Sequence, residues 1–232
     1  MNNLLISLIY LLITFGLTVL CYKQYGKFGL YIWICVSVII CNIQTIKISE
    51  LFGLTISLGN ISYGSIFLCT DILSEKYGKD STKKATQLSF IIMIIFTCLM
   101  QLFLLYKPSS TDFTQNSLST IFSCMPRITI GSLLAYYSSQ ICDAKIYAYL
   151  KNKYNKVWLS NNGSTFVSQI VDTFIFVIIT FIGLISVKDI IGLMITMLCF
   201  KWVIALLDTP FMILVTKIKN KELNWGIKWK KN

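Results

Sequence analysis

Residues 86–106 read TQLSFIIMIIFTCLMQLFLLY, 21 positions without a charge, with Lys83 and Lys84 before them and Lys107 after. The hydrocarbon core of a bilayer is about 30 Å thick, and a helix needs about 20 apolar residues to cross it. This run meets that length, and lysines mark where it must stop. Working outward, comparable runs occupy 3–22, 28–47, 54–74, 120–145, 164–187 and 190–216. Together they predict an all-α integral membrane protein, a bundle of about seven transmembrane helices. The connections are too short to hold a separate soluble domain.

Composition agrees with that reading. The chain has 232 residues, 55% hydrophobic and only 13% charged. A soluble domain averages about 25% charged, so the bilayer has to be the solvent for most of this chain. Histidine is absent, which excludes Ser-His-Asp and Cys-His nucleophilic sites, zincin histidine pairs and histidine-bound haem. The eight cysteines (21, 35, 41, 69, 98, 124, 142 and 199) form no C-x-x-C and no zinc spacing; they read as small apolar residues. No G-x-x-x-x-G-K-[ST] is present, so this chain does not hydrolyse nucleotide through a P-loop. No cofactor is expected.

The formal charge of +11 would suggest nucleic acid in a soluble protein, but here its distribution says otherwise. Lys23 and Lys27 lie in the first loop, Lys47 in the second, and Lys76, Lys79, Lys83 and Lys84 in the third. Lys107 lies in the fourth, Lys145, Lys151, Lys153 and Lys156 in the fifth, and Lys188 in the sixth. Six more follow Lys217, that residue included. Alternate segments therefore hold 16 and 3 bases. The positive-inside rule makes the rich side cytoplasmic, with the N-terminus outside and the C-terminus inside. The tail 217–232, which carries Trp225 and Trp229, is expected at the anionic inner leaflet rather than on nucleic acid. Met1-Asn2-Asn3 lacks a basic n-region and no small-residue cleavage site follows, so the first run reads as a retained helix.

Charge inside such helices is expensive, about 2.5–3.5 kcal/mol at the centre, and usually faces a bundle interior or a wet cavity. Asp71, Glu75, Arg127, Asp143, Asp172, Lys201 and Asp208 sit inside or at the ends of the predicted helices, with Asn42, Gln44, Gln140 and Gln169 as amide companions. Asp71 and Glu75 share one helix face. Ser139-Gln140-x-x-Asp143 and Ser168-Gln169-x-x-Asp172 repeat one pattern, and Lys201 and Asp208 lie two turns apart. Five carboxylates face two cations: either desolvation keeps some acids neutral, or helix N-termini, waters or a ligand with donor groups satisfy them. The plain alternative is polar glue between helices, with Asp71, Glu75 and Asp143 as interfacial anchors. Asn161-Asn162-Gly163-Ser164 is expected to form a turn and a helix N-cap, and Pro126 and Pro210 to kink their helices. Asn60-Ile61-Ser62 and Asn162-Gly163-Ser164 match a glycosylation triplet but fall in a helix and on the cytoplasmic side.

These positions carry a resemblance. Thr70-Asp71-Ile72-Leu73-Ser74-Glu75-Lys76-Tyr77-Gly78-Lys79 resembles the signature of the queuosine precursor transporters, also called the vitamin uptake transporter family. Ala135-Tyr136 with Ser139-Gln140-x-x-Asp143, Asn161 through Thr165 with Ser168-Gln169-x-x-Asp172-Thr173, and Lys201 with Asp208-Thr209-Pro210 are similar to its later blocks. The resemblance implies a multi-pass cell-membrane importer of 7-deazaguanine bases (preQ0, preQ1 or queuine) for salvage into tRNA queuosine, and not an enzyme. It also implies a six-helix core over 28–216, with 1–27 as an additional helix. On that footing Asp172 or Asp143 takes the guanine-like edge, Gln140 and Gln169 meet the remaining polar atoms, Ser168 joins them, and Tyr63 or Phe67 stacks on the ring. Proton coupling through Asp71, Glu75 or Asp208, an ATP-driven partner module, a homo-oligomer and a purely structural membrane subunit stay open.

Overall fold

The computed structural model describes residues 3–218. Its order is α1 (Asn3–Thr45), β1 (Ile48–Leu51), β2 (Leu54–Ser57), α2 (Gly59–Tyr77), α3 (Lys79–Leu104), α4 (Gln115–Phe122), α5 (Met125–Tyr154), α6 (Val157–Phe181), α7 (Val187–Leu207) and α8 (Thr209–Lys217). Among the described residues, five helical stretches are long and apolar enough to cross a membrane: Asn3–Thr45, Lys79–Leu104, Gln115–Tyr154, Gly163–Phe181 and Val187–Val215. Trp225, Trp229 and the basic tail beyond Ile218 lie outside the described residues.

The first of these is not one rod. Straight, its 43 residues would measure about 65 Å, roughly twice the hydrocarbon thickness. At Gly26 the backbone turns to φ 58°, ψ −133°, a conformation open only to glycine. The legs 3–25 and 27–45 then fold back antiparallel. A side chain on Gly29 would collide with the Cys21 carbonyl, so the legs meet backbone to backbone at the turn. At their far ends Gln44 Nε2 donates to the Tyr10 hydroxyl at 3.0 Å, and Asn3 Nδ2 donates to Ser49 Oγ at 3.1 Å.

The molecule is mostly helical, as an all-α membrane protein is, and the one correction among the described residues lies between α1 and α2. The run predicted as helix from residue 54 begins instead as a strand, and α2 starts at Gly59. The strands pair antiparallel from Ile48 opposite Ser57 to Leu51 opposite Leu54. Phe52 and Gly53 both take positive φ (52° and 73°), as a two-residue hairpin of this twist requires. The hairpin is pinned to α7: Thr55 Oγ1 donates to Asp189 Oδ1 at 2.7 Å, and Thr196 Oγ1 donates to the Thr55 carbonyl at 2.8 Å.

Helix α3 shows why the molecule is stable in lipid. Ser81, Ala85, Ser89, Met93 and Thr97 turn inward at four-residue spacing, while Leu88, Ile91, Ile95, Leu99 and Leu102 are exposed. The bulky apolar side chains face outward and the smaller ones face the neighbouring helices. In hydrocarbon, helices associate by close packing of small residues rather than by expelling apolar surface from water.

The chain reverses between α5 and α6 at Asn155, which is left-handed (φ 50°). These helices run antiparallel and closely: Gly131 lies against Thr180. The predicted run 120–145 is broken at Ser123–Cys124 into α4 and α5, and Pro126 stands in the first turn of α5 rather than kinking it, where its missing N–H costs nothing. Helix α7 ends at Leu207, and Pro210 lies in the first turn of α8, so the chain does break beside that proline. Residues 161–164 lie within α6 rather than at its start; the side chains of Asn161 and Asn162 are outside the described residues. The α1 legs, α2 and α8 share one core, in which Phe15 meets Phe211 edge-on at 5.1 Å.

Candidate functional site

The second leg of α1, α2, α3, α5, α6 and α7 surround a partly open cavity. Six aromatic side chains line it. Tyr63 and Phe67, one turn apart on α2, pack edge-on at 4.8 Å, and Phe90 of α3 packs on Tyr136 of α5 at 4.8 Å. Phe176 and Phe200 complete this surface. Such walls suit a flat apolar face carrying polar groups on its rim.

Charge enters at one place. Lys201 of α7, 8% exposed, donates from Nζ to Asp172 Oδ2 of α6 at 2.9 Å and to Thr173 Oγ1 at 3.0 Å. Asp172 is 27% exposed and lines the cavity with Lys201. Its second oxygen, Oδ1, has only Ser139 Oγ nearby, at 3.5 Å, which is at the limit of a hydrogen bond. Two lysine donors are thus occupied by the protein, while half of the carboxylate remains to accept from a ligand. Tyr63 stands within electrostatic reach of Asp172 and Tyr136.

Two amides lie on the same wall: Asn42, buried on the second leg of α1, and Asn60, at the start of α2. Among the described residues, the Asn60 side-chain nitrogen is buried without a partner.

Of the residues singled out from sequence, Asn42, Tyr63, Phe67, Asp172 and Lys201 come together here. Others do not. Gln44 turns to the first leg of α1, where it bonds Tyr10 and makes a short contact with Ser62; it ties three helical segments. Arg127 donates to the carbonyls of Ile179 (3.2 Å) and Ile182 (2.7 Å), closing the open C-terminal turn of α6. Asp71 and Glu75 continue the Tyr63–Phe67 face of α2 downward but are exposed, and Gln140 is exposed on α5. Gln169 is half-buried outside the cavity lining. Asp208 is buried at the α7–α8 junction. Asp143 and Ser168 face each other at 3.5 Å across the α5–α6 seam, also away from the cavity.

Asn60, Phe90, Phe176 and Phe200 were not singled out. Phe176 is one helical turn beyond Asp172, so projecting one turn from that charge would have found it; Phe200 directly precedes Lys201 and has no such spacing signal. Asn60 was set aside as part of a glycosylation triplet, although its side chain is on the cavity wall.

The chain was compared with known proteins. A family described as "Putative vitamin uptake transporter" matches residues 57–215. A protein of Bacillus subtilis (strain 168) named "Probable queuosine precursor transporter" is 40% identical over 210 residues, covering 89% of this chain and 92% of that protein. No solved structure matches.

Proposed function

The chain belongs to the vitamin uptake transporter family, and from that premise we propose that it imports queuosine precursors across the cell membrane. The cargo class is a 7-deazaguanine base such as preQ0, preQ1 or queuine. The observation that carries the reading is the half-free carboxylate of Asp172 inside an aromatic cavity between membrane helices. A guanine-like edge offers an N1–H and an exocyclic amine side by side, which one carboxylate accepts as a pair. Hydrogen bonds to a charged partner contribute about 1.5–3 kcal/mol each. Tyr63 and Phe67 give the ring a face to pack on. This favours Asp172 over Asp143 for the edge, because only Asp172 lines the cavity.

Counting both legs of α1, with α2, α3, α5, α6 and α7, gives seven crossings, N-terminus outside and C-terminus inside by the lysine distribution. Asp71 and Glu75 then stand at the cytoplasmic mouth below the aromatic pair. Residues 28–216 form the transport core, and 1–27 brace it from the side.

The test is tRNA queuosine content in a cell that cannot make the precursors, fed each one separately. Expression of this chain should restore queuosine, and Asp172→Asn should cut uptake by about tenfold to a hundredfold while leaving membrane expression intact. Undiminished uptake by Asp172→Asn rules out the assignment.

A further inference from the structure

Asn60 has a donor with nothing to do. Its side-chain nitrogen is buried and has no hydrogen-bond partner among the described residues, and the residue is part of the cavity wall. Leaving a buried N–H unmatched usually destabilises a protein, and such groups are rare in folded chains. Here the position is held firmly. Gly59, immediately before it, lies so close to the second leg of α1 that a side chain there would collide with Thr45, and Cys41 Sγ reaches the Gly59 carbonyl at 3.3 Å. The start of α2 cannot slide away to bring Asn60 to water. The triplet Asn60-Ile61-Ser62 therefore does not act as a glycan acceptor, because its asparagine is inside the bundle.

We propose that Asn60 is a specificity residue that donates to the ring carbonyl of the cargo, in concert with the carboxylate of Asp172. This rests on the precursor-import reading and names the group that the acid leaves unmatched. When a carboxylate takes the N1–H and the amine of a guanine-like edge, the carbonyl at the third position of that edge is left facing the protein. Inside the cavity it needs a donor. Lys201 spends two of its three donors on Asp172 and Thr173, whereas the Asn60 side-chain nitrogen is wholly unused among the described residues. Tyr63 connects the two: it is within electrostatic reach of Asp172 and lies three residues, about 4.5 Å of rise, along α2 from Asn60. Asn42, on the second leg of α1, lines the same cavity. The pocket so built selects a base with an acceptor beside two donors and disfavours one with an amine in the carbonyl position, which would set donor against donor.

The experiment uses the full chain in lipid nanodiscs and compares binding of 7-deazaguanine with its 6-thio analogue by calorimetry. The thio analogue keeps the N1–H and the amine but has a much weaker acceptor. Wild type should prefer the oxo compound by about tenfold. Asn60→Ala should bring that ratio near one by weakening only the oxo compound. Asn60→Asp, which keeps the shape and removes the donor, should weaken it further while the thio analogue changes by less than about threefold. An unchanged ratio in both variants, with both ligands weakened together, overturns the proposal and leaves import standing. Wild type that binds neither compound overturns both.

Discussion

The two Ser-Gln-x-x-Asp segments are the same five-residue pattern on antiparallel helices, and the fold makes them mirror one another. Ser139 faces Asp172 and Ser168 faces Asp143, each at 3.5 Å. The backbone gives the two acids equivalent positions across the α5–α6 seam. What separates them is the third helix. Beside Asp172 stands α7 with Lys201, and beyond it the cavity opens; Asp143 has neither. The comparison shows that a repeated motif marks a helix seam, whereas a site appears only where a further element supplies the countercharge and the space.

Removing that countercharge should have the largest effect. Lys201→Met leaves Asp172 without its cation in a mostly buried position, and breaking such a pair destabilises by about 3–5 kcal/mol. Asp172 is a quarter exposed, so the lower end, about 3 kcal/mol, is expected as a fall in melting temperature in detergent. Lys201→Met with Asp172→Asn should recover most of that loss. If Lys201→Met melts like wild type, the pair does not distinguish the two acids.

The acids themselves come next. Asp172→Asn should lower uptake by about tenfold to a hundredfold, the worth of one to two charge-assisted hydrogen bonds, while Asp143→Asn should stay within about twofold. Equal losses would mean that both halves of the repeat meet cargo. The seam follows. Gly131→Leu must push Thr180 away and should destabilise by about 1–3 kcal/mol, as overpacking usually does, without changing the oxo-to-thio ratio. Smallest are Ser139→Ala and Ser168→Ala, expected to cost less than about 0.5 kcal/mol each because their bonds are long. Unequal melting of these two would show that the mirror relation is already broken at the serines.

Helix positions and the two charges of the site were legible because hydrocarbon admits so few polar residues that each one stands out. Asp172 and Lys201 belong to different segments, and their pairing could not be read, since no local pattern records which helix lies beside which. The hairpin 48–57 was lost for a different reason: a window long enough to detect a membrane span averages away the alternation of ten residues, and Phe52-Gly53 is a weak turn signal. Arg127 looked functional because intramembrane cations are rare, yet it satisfies carbonyls that any helix end exposes. Gln140 shared a motif with Asp143 but points off the seam, a phase difference of one residue.

The reversal at Gly26 also has a consequence for phase. With a single residue as its hinge, the α1 turn has no slack to absorb a change in length. One residue added after Gly26 would rotate the second leg by about 100° and lift it by about 1.5 Å, taking Asn42 and Thr45 off the cavity wall together. The turn thus works as an index mark: it sets the angular reading of a helix whose working residues lie four turns further on.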